Sequence, residues 1–306
     1  MTTNENGRDT IPQEEIEDAS YSSELKKAGI LVEALPYIKK FRGKRVVIKI
    51  SGKVLDDPEL EEKVIRDIVL LHFVGILPII VHGGGKQIDE ALKKWGKESS
   101  FINGRRVTDD QTMEVTQMVL VGLINKSLVS RISSLGAEAI GISGQDGRLI
   151  LAKTLSEGGL DFGRVGKVEK INISLLERIY GSHIIPVIAP VAVDKDGRAL
   201  NVNADEAATE IASMLCVEKL VFVSDVRGVL EKVDGKNRLL KTLSLADIKK
   251  LEEQKKISDG MIVKLQCAKK AIEEGVRSVQ IISGIDPHSL LVEIFTDLGV
   301  GTKIVS

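Results

Sequence analysis

Val46-Val47-Ile48-Lys49-Ile50-Ser51-Gly52 is an apolar run of strand character that carries one lysine and ends in two small residues. Aliphatic neighbours on both sides of Lys49 predict that the ammonium is enclosed, and an enclosed ammonium without an anion is costly. Ser51 and Gly52 free the backbone to turn, so that main-chain N–H groups face the crevice at the carboxyl end of a strand, where open α/β sheets bind ligands. The stretch therefore offers a phosphate both a lysine and bare amides. The plainer alternative is an edge-strand lysine followed by a chance turn.

Downstream, the pattern repeats. A helix is predicted over 58–74, then a strand over 77–82 that runs into Gly83-Gly84-Gly85-Lys86, then a helix over 86–97. Strand, glycine turn and helix in alternation predict an α/β fold with a mostly parallel central sheet between helices. A long helix is expected over 112–135, carrying Met113, Val119, Leu120, Leu123 and Ile124, while the glycine- and charge-rich 139–167 reads as hairpins outside the core sheet. Strands follow over 184–190, 219–223, 279–283 and 299–305, with helices over 204–215, 244–254, 261–275 and 287–295 and a D-G-K turn within 233–238. Upstream, residues 1 to about 20 are polar and acidic, the composition of a disordered lead. Leu25, Ile30, Leu31, Leu35, Ile38 and Phe41 then recur at helical spacing through Pro36, as two helices or one kinked helix. That stripe must be buried on its own domain or on a neighbouring subunit.

A chain of 306 residues suffices for two lobes or one large sheet domain. Its net charge of −1 gives no field that would recruit nucleic acid or a membrane surface, and one Trp, three Tyr and six Phe leave little for base stacking. Cys216 and Cys267 lie in aliphatic surroundings without C-x-x-C spacing and read as buried thiols in a reducing cytoplasm. The first residues lack a signal peptide's basic start and apolar core, and no apolar run is long enough to span a bilayer. A cytoplasmic protein is expected.

His82-Gly83-Gly84-Gly85-Lys86 is the strongest glycine signal: three residues without Cβ between strand and helix expose N–H groups and a positive helix end to an anion. Used as an esterase oxyanion hole, it would need a G-x-S-x-G elbow, which the chain lacks. No Gly-Lys pair precedes Ser or Thr, so there is no P-loop, and Ile88 stands where a dinucleotide fingerprint needs its third glycine. Asp161-Phe162-Gly163 spells a protein-kinase tripeptide without the partner motifs and is set aside as chance. Asn103-Gly104-Arg105-Arg106-Val107-Thr108-Asp109 places guanidinium groups in a turn, suited to a carboxylate, unless the arginines merely pair with Asp109 or Asp110. Asn201, Asn203 and Asp205 share one side of an extended segment that starts a helix, with Asn203 placed as its N-cap. Gly260 introduces another helix with Lys264 one turn in. Two lysines steered by one aspartate would clamp a phosphoryl group in transfer.

With these motifs in order, the chain resembles acetylglutamate kinases of the amino acid kinase superfamily over nearly all of residues 30–306. The shared strings are Lys49-x-x-Gly52, VHGGG, NGRRVTD with TMEV, INKSLVSRI, GISGQDG, IPVIAPV, NVNADEAA, DVRGVL, GMIVK and EIFTDLGVGT. The resemblance implies transfer of the γ-phosphoryl of ATP to the side-chain carboxylate of N-acetyl-L-glutamate, the second step of arginine synthesis, with Mg2+ carried mainly by the nucleotide and no metal site on the protein. It implies a two-lobed α/β sandwich: an extension over 1–33, a lobe over 34–215 for the acyl amino acid and a lobe over 216–306 for the nucleotide. Lys49 and Lys264 would stabilise the transition state and Asp205 would hold both. Gly84, Gly85, Arg106 and Asn201 would bind the acyl amino acid, and Gly52, Ser224 and Asp225 the nucleotide. An attacking carboxylate is already ionised at neutral pH and needs no base, which fits a site of lysines and amides.

Members inhibited by arginine carry an N-terminal helix that joins dimers into a hexamer, and residues 22–42 are similar to it, so a homo-oligomer is expected, a dimer or a trimer of dimers. The chain departs from the family at Ser51, usually glycine, at Val263, usually proline, and at Gln280 and Ile285, where inhibited members commonly carry His and a basic residue. The rival readings are a related kinase of carrier-bound aminoadipate or glutamate, and a non-catalytic sensor on the same fold.

Overall fold

The computed structural model describes residues 19–233, 236–253, 259–297 and 299–306. Nearly all of the expected disordered lead, the Asp234-Gly235 turn and the end of the helix expected to reach Gln254 lie outside these residues. Eight strands form one sheet in the order Thr242–Ser244, Thr302–Val305, Val279–Ser283, Lys219–Ser224, Arg45–Ile50, Leu77–His82, Ile185–Ala189, Ala139–Ser143. Neighbours run parallel except Val279–Ser283 against Thr302–Val305.

Arg45–Ile50 is central, with Ile50 paired to His82 on one side and to Val223 on the other. Strands up to residue 189 add on the His82 side and those from residue 219 on the Val223 side, so the strand order reverses beside Lys49. This reversal opens a crevice at the carboxyl ends of the strands. An edge-strand lysine is thereby excluded.

Alternation along the strand sorts its side chains between two cores. Val46, Ile48 and Ile50 join one, with helices Pro58–Phe73, Gly85–Lys94 and Ser289–Phe295 and the helical run from Asp110 to Ser134. Val47 joins the other, with helices Ile173–Gly181, Ala204–Met214, Leu245–Glu253 and Asp259–Glu273. Lys49, two residues on from Val47, must project to that second side, where Asp205 lies in the first turn of its helix and Lys264 one turn into its own.

Three expectations are corrected. The segment 139–167 is not wholly outside the sheet: Ala139–Ser143 pairs in parallel with Ile185–Ala189 as the edge strand. Glycine at 141 is required there, because a Cβ would lie 1.9 Å from Asn125 Oδ1. The rest of the segment, Ile150–Glu157 and Leu160–Ile171, closes a small barrel with Val191–Val193 and Ala199–Asn201.

The helix expected over 112–135 starts at Asp110, whose preceding residue Asp109 caps it by accepting from Thr112 N–H at 2.8 Å, and it passes through a π-helical turn, Met118–Ile124. Cys216 is exposed, whereas Cys267 is buried as expected. Cys216 occupies the left-handed position closing Ala204–Met214 (φ 44°), with its N–H on Ser213 O at 3.0 Å and Val217 N–H on Ala212 O at 3.1 Å. That terminating turn leads the chain out of the helix and leaves the thiol at the surface. In the N-terminal segment, one helix, Ala19–Phe41, runs through Pro36. Among the described residues no helix is long and apolar enough to cross a membrane.

Candidate active site

Two glycine turns meet at the strand reversal. A Cβ on Gly52 would stand 3.0 Å from Gly84 Cα and 3.2 Å from Gly85 N, so the turns touch backbone to backbone. Gly84 is enclosed from behind as well, since a Cβ there would lie 2.4 Å from Ile124 Cδ1 and 2.7 Å from Leu120 Cδ2. Both contacts come from the π-helical turn, which brings Leu120 and Ile124 onto the glycine run together. Ser51, at φ −68° and ψ 142°, has backbone angles open to any residue, and its β-carbon costs the turn nothing. Gly85 opens helix Gly85–Lys94 with no side-chain cap, leaving first-turn N–H groups for a ligand.

Lys49 and Lys264 converge on one carboxylate. Lys49 Nζ lies 2.7 Å from Asp205 Oδ1 and Lys264 Nζ 2.6 Å from Oδ2. Lys49 and Asp205 are each 7% exposed. The Lys264 ammonium also stands 5.9 Å from the ring centroid of Phe222, the residue registered opposite Lys49. Burial pushes the Asp205 carboxyl up, but the two ammonium groups outweigh it and hold it down at about 2. For Lys49 burial dominates and lowers its pKa; Asp205 opposes that and Lys264 adds to it. Two cations on one anion leave a surplus positive charge at the crevice, which an incoming anion offsets. Burial pushes the neighbouring Cys267 thiol up to about 12, so it brings no competing charge.

Asn103 (φ 50°) and Gly104 (φ 74°) make the two-residue turn of the hairpin formed by Phe101–Ile102 and Arg105–Arg106, with the positive angles of a type I′ turn. Alternation then sends Arg105 and Arg106 to opposite sides. Arg106 reaches the glycine run, bonding Asp89, Ser99 and Gly85 O (2.9 Å), with its guanidinium 4.8 Å from the Phe101 ring centroid. Those bonds use three of its five donors and leave two on one edge for a carboxylate. The expected alternative pairing does not form: Asp109 pairs with Lys97 and Asp110 with Arg164.

Asn201 Nδ2 donates to Thr108 Oγ1 at 3.0 Å, and Thr108 gives its own proton to Arg106 O at 2.8 Å. This fixes the orientation of the Asn201 amide and leaves its oxygen to accept from an N–H. Asn203 caps helix Ala204–Met214, accepting from Asp205 N–H at 2.8 Å and Glu206 N–H at 3.3 Å.

A cavity of about 450 Å³ joins Lys49, Gly52, Gly84, Gly85, Arg106, Asn201 and Asp205. Lys264 reaches it through Asp205. Ser224 and Asp225 do not line it; they end the strand Lys219–Ser224 across the reversal, where Asp225 Oδ2 lies 2.7 Å from Lys53 Nζ and Gly284 N–H donates to Ser224 O at 2.7 Å. Beneath the glycine run is a further pair that sequence reading missed. His82, fully buried and pulled down to about 4 by burial, is neutral; Asn125 Nδ2 lies 3.3 Å from its Nε2 and Gly83 O 3.2 Å from its Nδ1. Asp89 was also missed, although it lies one helical turn beyond Gly85 and so shares its face.

Residues 44–283 match the profile of the amino acid kinase family. An acetylglutamate kinase of Caldanaerobacter subterraneus subsp. tengcongensis is 52% identical over 290 residues, 94% of this chain and 96% of that protein. An acetylglutamate kinase of Moorella thermoacetica is 46% identical over 291 residues, covering 92% and 98%. Among solved structures, N-acetylglutamate synthase from Neisseria gonorrhoeae complexed with coenzyme A and N-acetyl-glutamate superposes with a TM-score of 0.83 at 26% identity, over 91% of this chain. The match spans 63% of the synthase chain, less than two thirds of its length. Giardia carbamate kinase superposes with a TM-score of 0.64 at 15% identity over 86% of this chain and 99% of its own, a likeness of fold alone.

Proposed function

Since the chain belongs to the amino acid kinase family, we infer that it phosphorylates the side-chain carboxylate of N-acetyl-L-glutamate with ATP, giving N-acetyl-L-glutamyl 5-phosphate, the second step of arginine biosynthesis. The observation that carries this reading is the pair of lysines held by Asp205 at the edge of a cavity whose opposite wall is bare glycine backbone and an arginine. Transfer between a carboxylate and a triphosphate is a meeting of anions, so the protein's task is to neutralise and align them.

In this reading the lobe over 34–215 binds the acyl amino acid, with Arg106 on its α-carboxylate, Asn201 Oδ1 on its amide N–H and the N–H groups at Gly84 and Gly85 as further donors. The lobe over 216–306 binds the nucleotide, with Ser224 and Asp225 beside the reversal and Gly52 against the phosphates. Lys49 and Lys264 face the phosphoryl group in transfer from the second core's side of the sheet. Asp205 holds both ammonium groups in place.

Mg2+ bound to the phosphates of ATP would supply further charge neutralisation. Among the described residues no three His, Cys, Asp or Glu side chains cluster as a metal site, and Asp205 is already shared by two ammonium groups. In this reading the ion is carried by the nucleotide.

A coupled assay of ADP release with ATP, Mg2+ and either N-acetyl-L-glutamate or carrier-bound aminoadipate tests the assignment. Turnover of acetylglutamate is expected; turnover of the carrier-bound substrate alone would replace it.

The reading extends to assembly and place. Leu25, Ile30, Leu31, Val32 and Leu35 stand 56–72% exposed on helix Ala19–Phe41, which begins within the extension placed at 1–33 and continues past it. A second copy covering them gives a homo-oligomer, a dimer or a trimer of dimers, at work in the cytoplasm. Light scattering of the full chain reads its mass in solution, and a monomer would refute this.

A further inference from the structure

A second cavity, of about 430 Å³, lies behind the first and shares three lining residues with it: Gly104, Arg105 and Asn203. Of these only Arg105 has a long side chain, and it is spanned across the boundary. Its Nη2 donates to Glu206 at 2.7 Å, and Nη1 lies 3.5 Å from Glu157 Oε2 at the tip of the barrel hairpin. Glu206 follows Asp205 on the helix that carries the reaction's anion, so the partition is anchored to the machinery it borders. The far side of the second cavity is helix Asp259–Glu273, through Val263, Gln266 and Lys270, the last paired with Glu210.

We propose that the Arg105–Glu206 ion pair is a wall that limits the acyl group of the substrate, and that withdrawing it joins the two chambers and admits longer, amine-terminated acyl groups. The inference rests on the kinase reading for the identity of the first ligand. With one carboxylate on Arg106 and the other facing the lysines, the amide lies along Asn201 and the acyl group is left toward Gly104, Arg105 and Asn203. The acetyl group ends at that wall. Behind it are Glu157 and Glu206, which lose their guanidinium once Arg105 is truncated. An acyl chain about as long as the arginine side chain and ending in an ammonium replaces what was removed, whereas a plain alkyl chain leaves two carboxylates without a counter-charge.

Calorimetric affinities of the full chain for N-acetyl-L-glutamate and N-(5-aminopentanoyl)-L-glutamate test this, with ADP release measured separately. Arg105→Ala is expected to shift the affinity ratio toward the longer ligand by about tenfold or more, while Arg105→Met, which keeps the length, stays within about threefold of the parent. Adding Val263→Trp to Arg105→Ala fills the second chamber and is expected to restore the parent ratio. A ratio unmoved by Arg105→Ala overturns the proposal, as does a gain that Val263→Trp leaves intact. Should Arg105→Ala lose its cooperative melt, Arg105→Ser, which also removes the guanidinium but keeps a polar side chain on the hairpin, is read by the same ratio: a shift toward the longer ligand is expected, and no shift overturns it. If the parent binds acetylglutamate without releasing ADP, the kinase reading falls, yet the affinity ratio still decides the partition.

Discussion

Lys264→Ala is expected to lower turnover of acetylglutamate by on the order of 10²-fold or more, a loss of about 2.7 kcal/mol of transition-state stabilisation. The reason is geometric. Lys264 reaches the cavity only through Asp205, at 2.6 Å, and belongs to none of the groups assigned to the acyl amino acid. Its charge is therefore matched to the phosphoryl group as negative charge redistributes in transfer, so kcat falls while KM for acetylglutamate stays within about threefold. Arg106→Ala makes the contrast, because its two free donors are assigned to the bound ligand and its loss raises KM. Steady-state kinetics of both variants separate the cases, and turnover of Lys264→Ala within tenfold of the parent would refute the assignment. A sensor on the same fold would instead keep its cellular function after Lys264→Ala.

Lys49 was legible because two rules agreed on it: an ammonium within an aliphatic run needs an anion, and alternation puts it on the side opposite Ile48 and Ile50. The glycine run was legible for a similar reason, since a close approach of backbone calls for residues without Cβ, and a Cβ on Gly52 would stand 3.0 Å from Gly84 Cα. Asn203 announced its cap by standing just ahead of a helical pattern. Two of the misses share a physical cause: they depend on partners distant in sequence. Ala139–Ser143 reads as loop because glycine and charge weaken its strand signal, yet an open parallel edge beside Ile185–Ala189 and the close approach of Asn125 make a strand with glycine at 141 the fitting solution. The π-helical turn has no local signature, as the sequence of Met118–Ile124 is that of any buried helix; its extra residue makes sense only once Gly84 is seen against Leu120 and Ile124. Cys216 reads as buried from its neighbours, but a residue that ends a helix in the left-handed region follows the turn and not the hydrophobic pattern.

Asp205→Asn is expected to cost both stability and catalysis, and both deficits shrink as pH falls, over separate ranges. In the folded protein the Asp205 carboxyl is held at about 2, below its ordinary value of 3.8, so its contribution to stability is present above about pH 4 and is lost as pH falls through 2. The shift corresponds to about 2 kcal/mol at neutral pH. Calorimetric melts should accordingly show the Tm deficit of Asp205→Asn in full at pH 7 and shrinking below pH 4. Catalysis responds over a higher pH range. Burial already lowers the pKa of Lys49, and Asp205 is the partner that raises it again. Without that carboxylate two ammonium groups face each other in a buried site, and Lys49 gives up its proton at lower pH than in the parent. Turnover of the variant should fall by on the order of 10²-fold at pH 8, with the alkaline limb of its kcat profile displaced toward acid and partial recovery as pH is lowered. A variant whose profile keeps the parent's alkaline limb would show that Asp205 does not hold the charge on Lys49, and the clamp would reduce to two lysines acting without a common anchor.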